Sequence, residues 1–381
     1  MIQDRLFLGR FMNRLFVVFL ILTVTFCKVD FNEKPKKDVL DSWMETLLIL
    51  SYPYLIDTCA VTPVFRSGSI PPISQGYGAR GTHTVSVAAL PNPSAPRNVC
   101  VYYPSDQKTK APVLFLIHGF SSPSAEAYYP LIDFYVSKGY VVVFPIYISD
   151  TRNPTENYKY MLDGINFAVS QFSNIIDTTR VGYMGHSYGG GATPYLAHQG
   201  IVQKGWGGNG SFIFLVAPWY SFSMTNAQLA QFTSATKMIA QIYDNDDVVD
   251  NRMAIDIFNQ IGIGTAEKDF EIVYSESYNG NILNADHYTP IKNTVIGLGA
   301  LDVLDYYGVW RQLDALTDYS YTGSAAAKDV ALGNGSTNQK NMGTYPDGHA
   351  VKTMTVTDSP SPLHPENFFS QPFSNANNPR F

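Results

Sequence analysis

The strongest constraint on the fold is an alternation of short apolar runs with longer amphipathic stretches, between about residues 80 and 320 of the 381-residue chain. The apolar runs predict strands at 84–90, 99–103, 113–117, 140–144, 180–184, 212–216, 238–243 and 270–274. Helices are predicted between them, at about 125–137, 155–172 and 252–261, after Ser187 and from about Pro290. Strands that are apolar along their whole length are typical of a parallel sheet covered on both faces. The sequence therefore predicts an α/β fold with a mostly parallel central sheet and helices on both faces.

The N-terminus predicts an export signal over residues 1–27. Arg5, Arg10 and Arg14 give it a basic start, and residues 15–26 form an almost uninterrupted apolar run. This run is shorter than the ~20 residues that a bilayer-spanning helix needs, and it is typical of a signal peptide. The mature chain is therefore expected outside the cytoplasm, either secreted or in the cell envelope.

Cys27, at the end of this signal, leaves three interpretations open. A cysteine at this point indicates a lipidated N-terminus and attachment to a membrane, but Phe26 stands where a small residue normally precedes a lipidated cysteine. Ordinary cleavage of the signal and an uncleaved signal anchor are the alternatives.

The three cysteines of the chain lack the spacing of a zinc site, and no metal is expected. With Cys27 assigned to the signal boundary, Cys59 and Cys100 remain as an even pair in an oxidising compartment. Such a pair predicts a disulfide. Two buried free thiols are the alternative.

The sequence divides into regions of different character. We predict the signal over 1–27, an N-terminal extension over 28–79, a body over 80–320 and a loop-rich C-terminal extension over 321–381. Turn and loop residues accumulate in the last region, and apolar periodicity is lost. We expect this extension to pack on the body through Phe368, Phe369 and Phe373.

The composition excludes one class of partner. The formal net charge is −6, so the chain lacks the excess of basic residues that is typical of nucleic-acid binding. Charged residues make up only 15% of the chain, against a usual ~25%. Aromatic residues reach 14%, with 25 tyrosines and 23 phenylalanines. This combination indicates a surface that meets apolar or polymeric material.

A candidate nucleophile lies between a predicted strand and a predicted helix, in the sequence Gly185-His186-Ser187-Tyr188-Gly189. A serine on a tight strand-to-helix turn has strained backbone angles and needs small residues two positions away on each side. Gly185 and Gly189 meet that need. The start of the following helix also presents N–H groups and a positive dipole end to negative charge.

A serine nucleophile requires a base, and the base requires a carboxylate that orients it. The usual chain order in this architecture is serine, acid, histidine. Asp246 follows the strand at 238–243 and is the predicted acid, with Asp244 and Asp247 as competitors and Asp250 more distant. A calcium loop is rejected here because two valines occupy the positions where such a loop needs an oxygen ligand and a glycine.

Of the seven histidines, His287 is the predicted base. It lies in a loop after the last predicted strand, one helix and one strand beyond Asp246. His349 is the alternative. His118 lies in the turn after the predicted strand at 113–117, and His186 directly precedes the serine, so both suit structural polar roles. Acyl transfer also needs donors for a developing oxyanion, and we assign these to the backbone N–H groups of Phe120 and Tyr188.

At these residues the chain resembles the α/β-hydrolase family and, within it, the cutinase-like polyester hydrolases and dienelactone-hydrolase-type lipases. The matching elements, in the family's order over about residues 80–300, are His118-Gly119-Phe120, Gly185 to Gly191, Ala217-Pro218-Trp219, Tyr243 to Asp246 and the His287 loop. The resemblance implies an α/β-hydrolase fold, with residues 80–320 as the catalytic domain. It also implies that Phe120 and Trp219 line an ester-binding cleft. Tyr188 stands where polyester hydrolases often have methionine.

These inferences predict an exported serine esterase that acts on a lipid-like ester, a small ester or a polyester and needs no cofactor. A serine peptidase of the prolyl-oligopeptidase type has the same elements in the same order, but the 28–79 extension is too short for the large extra domain usual there. A non-catalytic surface-binding protein on a hydrolase scaffold is the third interpretation. The intact serine, acid and histidine order disfavours it.

Overall fold

The computed structural model describes residue 59 and residues 68–94, 97–120, 122–147, 153–292 and 299–380. The predicted export signal and Cys27 lie outside these residues, as does most of the 28–79 extension. The described strands are β1 (Val85–Pro91), β2 (Asn98–Pro104), β3 (Ala111–Ile117), β4 (Val141–Pro145), β5 (Ile176–His186), β6 (Ser211–Val216), β7 (Thr236–Tyr243), β8 (Lys268–Val273), β9 (Glu276–Tyr278), β10 (Asn281–Leu283) and β11 (Thr355–Thr357).

Nine of the described strands form one sheet in the order β1-β2-β4-β3-β5-β6-β7-β8-β11. The neighbours from β4 to β8 along this order pair in parallel. Antiparallel pairs occur only toward the edges of this sheet, where β2 joins β4 and β1, and β11 joins β8. β9 and β10 form a separate hairpin. The predicted mostly parallel sheet is confirmed.

Helices cover both faces of the sheet. The described α-helices are α1 (Tyr129–Ser137), α2 (Pro154–Gln171), α3 (Tyr188–Ala197), α4 (Asn226–Leu229), α5 (Arg252–Gln260), α6 (Arg311–Thr322), α7 (Ala325–Ala331) and α8 (Thr337–Lys340). The sequence specifies where α2 begins. The Asn153 side chain accepts a hydrogen bond from the N–H of Glu156, and Pro154 occupies the first turn.

Alternate residues of each central strand point to opposite faces, so the core has two layers. On β3, Leu114 and Leu116 pack into one layer with α1 and α6, while Val113 and Phe115 pack into the other with α2, α3 and α5. The uninterrupted apolar runs in the sequence predict such strands, because each strand is buried on both of its faces.

The prediction that a helix begins at about Pro290 is wrong. Among the described residues after Pro290, helical structure begins with a π-helical turn at Leu304–Trp310, which continues directly into α6. Gly299 has a φ of 72°, which is incompatible with a right-handed helix at that point. The Asp302 side chain accepts the N–H of Leu304 and so supports the start that is observed.

The C-terminal extension is more ordered than a loop-rich segment. It contains α7 and α8, and β11 adds a strand to the edge of the sheet by pairing Thr355 with Ile272. A three-residue strand is too short to leave a period-two pattern in the sequence. Of the three phenylalanines expected to pack on the body, Phe369 is buried and Phe373 packs against a small apolar cluster around Tyr220.

The predicted disulfide is confirmed, since Cys59 and Cys100 are bonded. Cys100 lies on β2 and is fully buried, and the Tyr102 hydroxyl donates a hydrogen bond of 2.9 Å to the Cys59 carbonyl. The N-terminal extension is thus tied to the sheet at residue 59. Within the described ranges, no helix has the length and apolar character needed to cross a membrane.

Candidate active site

Ser187 lies on the turn between β5, which ends at His186, and α3, which begins at Tyr188. Its φ of 55° is rare for a non-glycine residue and costs on the order of 1–3 kcal/mol unless the surroundings hold it. A Cβ atom on Gly185 would lie 2.3 Å from the carbonyl oxygen of Gly189. A Cβ atom on Gly189 would lie 2.3 Å from the carbonyl oxygen of His118, which follows β3. Close contact across the turn therefore requires Gly185, and close contact with the neighbouring strand requires Gly189.

Ser187, His287 and Asp246 form one hydrogen-bonded chain. His287 Nε2 lies 2.9 Å from Ser187 Oγ, and His287 Nδ1 lies 2.8 Å from Asp246 Oδ2. Asp246 Oδ1 accepts the backbone N–H groups of Val248 and Val249, each at 2.9 Å. Because the carboxylate accepts a hydrogen bond from Nδ1–H, the proton stays on Nδ1 and Nε2 is left to take the serine proton. All three side chains are buried, with 8%, 5% and 5% of the residue exposed for Ser187, His287 and Asp246.

The competing aspartates have other partners. Asp244 Oδ1 accepts the N–H and the hydroxyl of Ser275, and Asp250 is paired with Arg252 at 2.9 Å. Asp247 is exposed to solvent. Of the four predicted candidates, the structure brings only Asp246 to the histidine.

The alternative base, His349, lies in a different environment. Its ring stacks on Tyr278 with 3.9 Å between centroids, and its Nε2 lies 3.8 Å from Glu276. His364, also in the C-terminal extension, hydrogen bonds to the Asp244 carbonyl through Nε2. The structure does not bring His349 to Ser187.

The predicted oxyanion donors are the backbone N–H groups of Phe120 and Tyr188. Within the described part of the chain, neither N–H has a hydrogen-bond acceptor. For Tyr188 this follows from its position, since the first N–H groups of a helix have no partner inside the helix. Free N–H groups of this kind can stabilise negative charge that develops beside Ser187.

Aromatic side chains lie beside the serine. The Phe120 ring is 5.9 Å from the Tyr188 ring, and Trp219 packs edge-on against Tyr220 at 5.6 Å. The Trp219 backbone N–H donates to the Ser187 carbonyl at 2.8 Å. Phe120 and Trp219 are therefore next to the candidate nucleophile and are both only half-buried.

Sequence reasoning missed part of this aromatic environment. The Tyr188 ring stacks on Tyr147 at 5.4 Å and meets the edge of Tyr158 at 5.8 Å, and Asn157 donates to its hydroxyl at 3.4 Å. Tyr147 comes two residues after β4, so the rule that sites form at the carboxyl ends of parallel strands could have identified it. Asn157 and Tyr158 lie on α2, and no sequence signal singles them out. Burial raises the pKa of Tyr188 to about 12, which keeps this phenol neutral.

His118 and His186 are both fully buried and neutral. Burial lowers the pKa of His118 to about 3, although its bond to the Gly119 carbonyl acts in the opposite direction. Burial and, next, the charge of His287 hold the pKa of His186 well below its usual range. Within the described residues, no group of three or more histidine, cysteine, aspartate or glutamate side chains could hold a metal ion.

A mostly parallel sheet with a serine on the sharp turn after β5 and an aspartate after β7, together with a histidine in the loop after the β9–β10 hairpin, defines an α/β-hydrolase. A family model described as PETase, PET hydrolase-like, matches residues 60–291. The chain belongs to this PET hydrolase-like family, which confirms the resemblance to polyester hydrolases and identifies an ester hydrolase of the α/β type. A comparison with curated proteins found no match. Residues after 291, including α6 and the C-terminal extension, lie outside the matched range.

Proposed function

We propose that this protein is an exported serine hydrolase that cleaves carboxylic esters through an acyl-enzyme on Ser187. The observation that carries the proposal is the buried chain of hydrogen bonds from Ser187 through His287 to Asp246, beside two N–H groups that have no acceptor among the residues that the structure describes. Nucleophile, base, orienting acid and oxyanion donors are the parts that acyl transfer requires.

In the first half of the reaction, Ser187 Oγ attacks the ester carbonyl carbon while its proton passes to His287 Nε2. The carbonyl oxygen becomes an oxyanion and accepts the N–H groups of Phe120 and Tyr188. Each such donor is worth ~10²–10³ in rate. The intermediate then collapses: the C–O bond to the alcohol breaks, and His287 returns the proton to the departing oxygen.

In the second half, water replaces the alcohol. His287 takes a proton from water, the hydroxide oxygen attacks the acyl carbon, and the bond to Ser187 Oγ breaks as that oxygen recovers its proton. Asp246 accepts a hydrogen bond from the Nδ1–H group throughout, so it fixes the tautomer and stabilises the imidazolium that forms in each half.

The surroundings favour an apolar acyl group. Phe120 and Trp219 are half-buried beside the serine, and Tyr188 is neutral. The PET hydrolase-like family adds an aromatic polyester as a candidate substrate. We therefore propose small or polymeric esters with apolar or aromatic acyl groups.

The same proposal places the protein outside the cytoplasm. The disulfide between Cys59 and Cys100 supports this location, because such bonds form and persist in oxidising compartments. Fractionation of producing cells, with recovery of the chain in the medium or the envelope fraction, tests it.

The nucleophile is tested with a fluorophosphonate probe, which forms a covalent bond with activated serines. We expect the wild-type protein and Ser221→Ala to be labelled equally, and Ser187→Ala not to be labelled. Ser221 is a suitable control because it is fully buried and its hydroxyl has no hydrogen-bond partner among the described residues. Equal labelling of Ser187→Ala and the wild-type protein would show that the nucleophile assignment is wrong.

The substrate class is tested with a panel of p-nitrophenyl esters of short and long acyl chains, an aromatic polyester film and a peptide p-nitroanilide. We expect turnover of the esters and no turnover of the anilide. Preferential cleavage of the anilide would favour the peptidase alternative, and turnover of none would favour the non-catalytic one.

A further inference from the structure

Three segments meet behind the candidate active site. They carry Gly119, which precedes the oxyanion donor Phe120; His186, the last residue of β5, which precedes Ser187; and His287. A single chain of hydrogen bonds joins them through a fourth residue, Tyr128, which directly precedes α1. Gly119 N–H donates to Tyr128 Oη at 2.8 Å, Tyr128 Oη lies 2.8 Å from His186 Nδ1, and His186 Nε2 lies 2.8 Å from the His287 carbonyl oxygen.

We propose that Tyr128 and His186 are positioning residues. They fix the oxyanion turn, which carries Gly119 and Phe120, and the loop that carries His287 relative to the nucleophile. This inference rests on the proposed esterase function and deepens it. Neither residue touches a reacting atom; both act through the groups that do.

The direction of each bond follows from chemistry. The His287 carbonyl oxygen can only accept, so His186 Nε2 carries the proton. In a neutral imidazole Nδ1 is then an acceptor, and the Tyr128 hydroxyl must donate to it. The Tyr128 oxygen in turn accepts the N–H of Gly119. Every contact along the chain therefore has one donor and one acceptor, with His186 in the Nε2–H tautomer.

Neutrality of His186 is a requirement of the reaction. His287 becomes positively charged when it takes the serine proton, and the two rings are only 4.9 Å apart. The ionisable groups that face His186 are Tyr128, His118 and His287. Burial and the His287 charge hold the pKa of His186 well below its usual range, so it stays uncharged while His287 cycles.

These hydrogen bonds also determine which backbone N–H group is available to the substrate. Gly119 N–H is used by Tyr128, and the next N–H, that of Phe120, is left without an acceptor among the described residues. The turn lies close against the elbow, because a Cβ on Gly119 would be 3.1 Å from His186 Nδ1 and 3.3 Å from Ser187 Cβ. A shift of His186 or Tyr128 would therefore move the oxyanion turn.

The first test removes one hydroxyl. In Tyr128→Phe, Gly119 N–H loses its acceptor and His186 Nδ1 loses its donor. We expect kcat for p-nitrophenyl acetate to fall about 10- to 100-fold with KM nearly unchanged, because small misplacements of catalytic groups have effects of this size. The matched control is Tyr135→Phe, which removes another fully buried hydroxyl, 3.0 Å from Thr317 Oγ1 and on α1, the helix that follows Tyr128. It should keep wild-type kcat.

The second test asks for rescue at position 186. Glutamine can donate to the His287 carbonyl and accept from Tyr128, whereas leucine keeps bulk without polar atoms. We expect His186→Gln to retain clearly more kcat than His186→Leu. Unchanged kcat in Tyr128→Phe, an equal loss in Tyr135→Phe, or no advantage of glutamine over leucine would each overturn the proposal.

A third measurement needs no activity and is made on the wild-type protein, with one variant used only to assign the spectrum. Two-bond ¹H–¹⁵N spectra of the ¹⁵N-histidine-labelled protein, assigned with His186→Gln, should show His186 as the neutral Nε2–H tautomer from about pH 5 to about pH 8. The Nδ1–H tautomer, or titration within this range, would overturn the proposal. A wild-type protein that neither hydrolyses esters nor reacts with the fluorophosphonate would instead refute the proposed function, and the tautomer measurement would be unaffected.

Discussion

Asp246 is fixed by its own loop as well as by the histidine. One carboxylate oxygen accepts hydrogen bonds from two backbone N–H groups, those of Val248 and Val249, and the other accepts one from the Nδ1–H group of His287. A carboxylate held in this way has little freedom to rotate. It can therefore fix both the orientation and the tautomer of the imidazole.

Replacing Asp246 with asparagine should separate tautomer control from folding. The amide oxygen of Asp246→Asn can still accept from the valine N–H groups, but the amide nitrogen would then face His287 and favour the wrong tautomer. We expect kcat to fall by ~10³–10⁴, with a melting temperature close to that of the wild-type protein. Steady-state kinetics on p-nitrophenyl esters and thermal unfolding measure the two effects.

Asp247→Asn is the matched control, because it makes the same chemical change one residue away on an exposed side chain. The kcat of this variant should stay within about twofold of the wild-type value, because substitutions of exposed side chains usually have small effects. A large loss in Asp244→Asn or Asp247→Asn, with wild-type kcat in Asp246→Asn, would contradict the assignment of the acid.

At the scale of single residues, the sequence identifies those whose type is dictated by strain or chain order. Ser187 needs small neighbours, and His287 follows the acid by the predicted helix and strand, with the β9–β10 hairpin added between that strand and the histidine. The choice among Asp244, Asp246 and Asp247 depends on how one loop turns, which short-range pattern does not determine. Tyr128 joins the site only through packing between distant segments, so no local signal marks it.

At the scale of elements, the C-terminal extension supports the loop that carries the acid. We call residues 364–374 the C-terminal strap. Ser370 N–H donates to the Asp247 carbonyl at 2.6 Å, and Gln371 N–H donates to the Val248 carbonyl at 2.9 Å. Phe369, which is buried, lines a small pocket together with Asp246. The strap lies outside the range matched by the family.

Phe369→Ala should loosen the acid loop. Removing a buried phenylalanine ring leaves a void and costs on the order of 3 kcal/mol. Because the void adjoins Asp246, we also expect kcat to fall about 10-fold through misplacement of the acid. Denaturant unfolding and ester kinetics on the same preparation measure both effects.

Phe368→Ala is the control for this prediction. Its ring stacks on His364 at 3.9 Å and is only half-buried. The loss of stability should be about 1 kcal/mol, with kcat retained. If Phe369→Ala keeps full kcat despite its lost stability, the strap supports the fold and not the acid.

The parallel strands could be predicted from sequence because each is apolar on both faces and long enough to form a pattern. The strap and β11 could not. Their partners, β8 and the loop after β7, lie many residues earlier in the chain, and their own apolar residues are few. The three phenylalanines indicated that this segment packs on the body, but not where.

At the scale of the whole molecule, the aromatic excess fills the core. The largest fully buried side chains include seven tyrosines: Tyr102, Tyr128, Tyr135, Tyr147, Tyr158, Tyr183 and Tyr306. The low charge and high tyrosine content had indicated a surface that meets apolar or polymeric material. These seven tyrosines serve internal packing, and composition alone does not distinguish buried tyrosines from those on a surface.

A buried polar network joins the sheet to the C-terminal helices. Glu271 on β8 accepts hydrogen bonds from Gln241 on β7 and from Gln339 on α8, at 2.9 Å and 3.3 Å. Gln339 also donates to Asp269 at 2.7 Å. Burial raises the pKa of Glu271 to about 8 and that of Asp269 to about 6, against the effect of these hydrogen bonds.

This network predicts how stability depends on pH. Because the pKa of Glu271 is raised in the folded state to about 8, its contribution to the free energy of unfolding is complete below its unfolded pKa and is lost as pH rises through 8. Between about pH 6 and about pH 8, the wild-type protein should lose up to ~1.4 kcal/mol per pH unit from this group. Glu271→Gln cannot ionise, so its stability should depend less on pH over the same range.

The matched control for this prediction is Glu267→Gln. Burial raises the pKa of Glu267, but Lys328, Lys237 and Tyr319 outweigh that effect and lower it overall. A lowered pKa means that the contribution of Glu267 is already complete above its unfolded pKa, so it is constant over the range tested. Glu267→Gln should therefore shift the whole stability curve and keep the wild-type slope. Denaturant unfolding at several pH values decides the matter: parallel curves for Glu271→Gln and the wild-type protein would mean that Glu271 stays ionised, with the C-terminal helices held to the sheet by a buried charge.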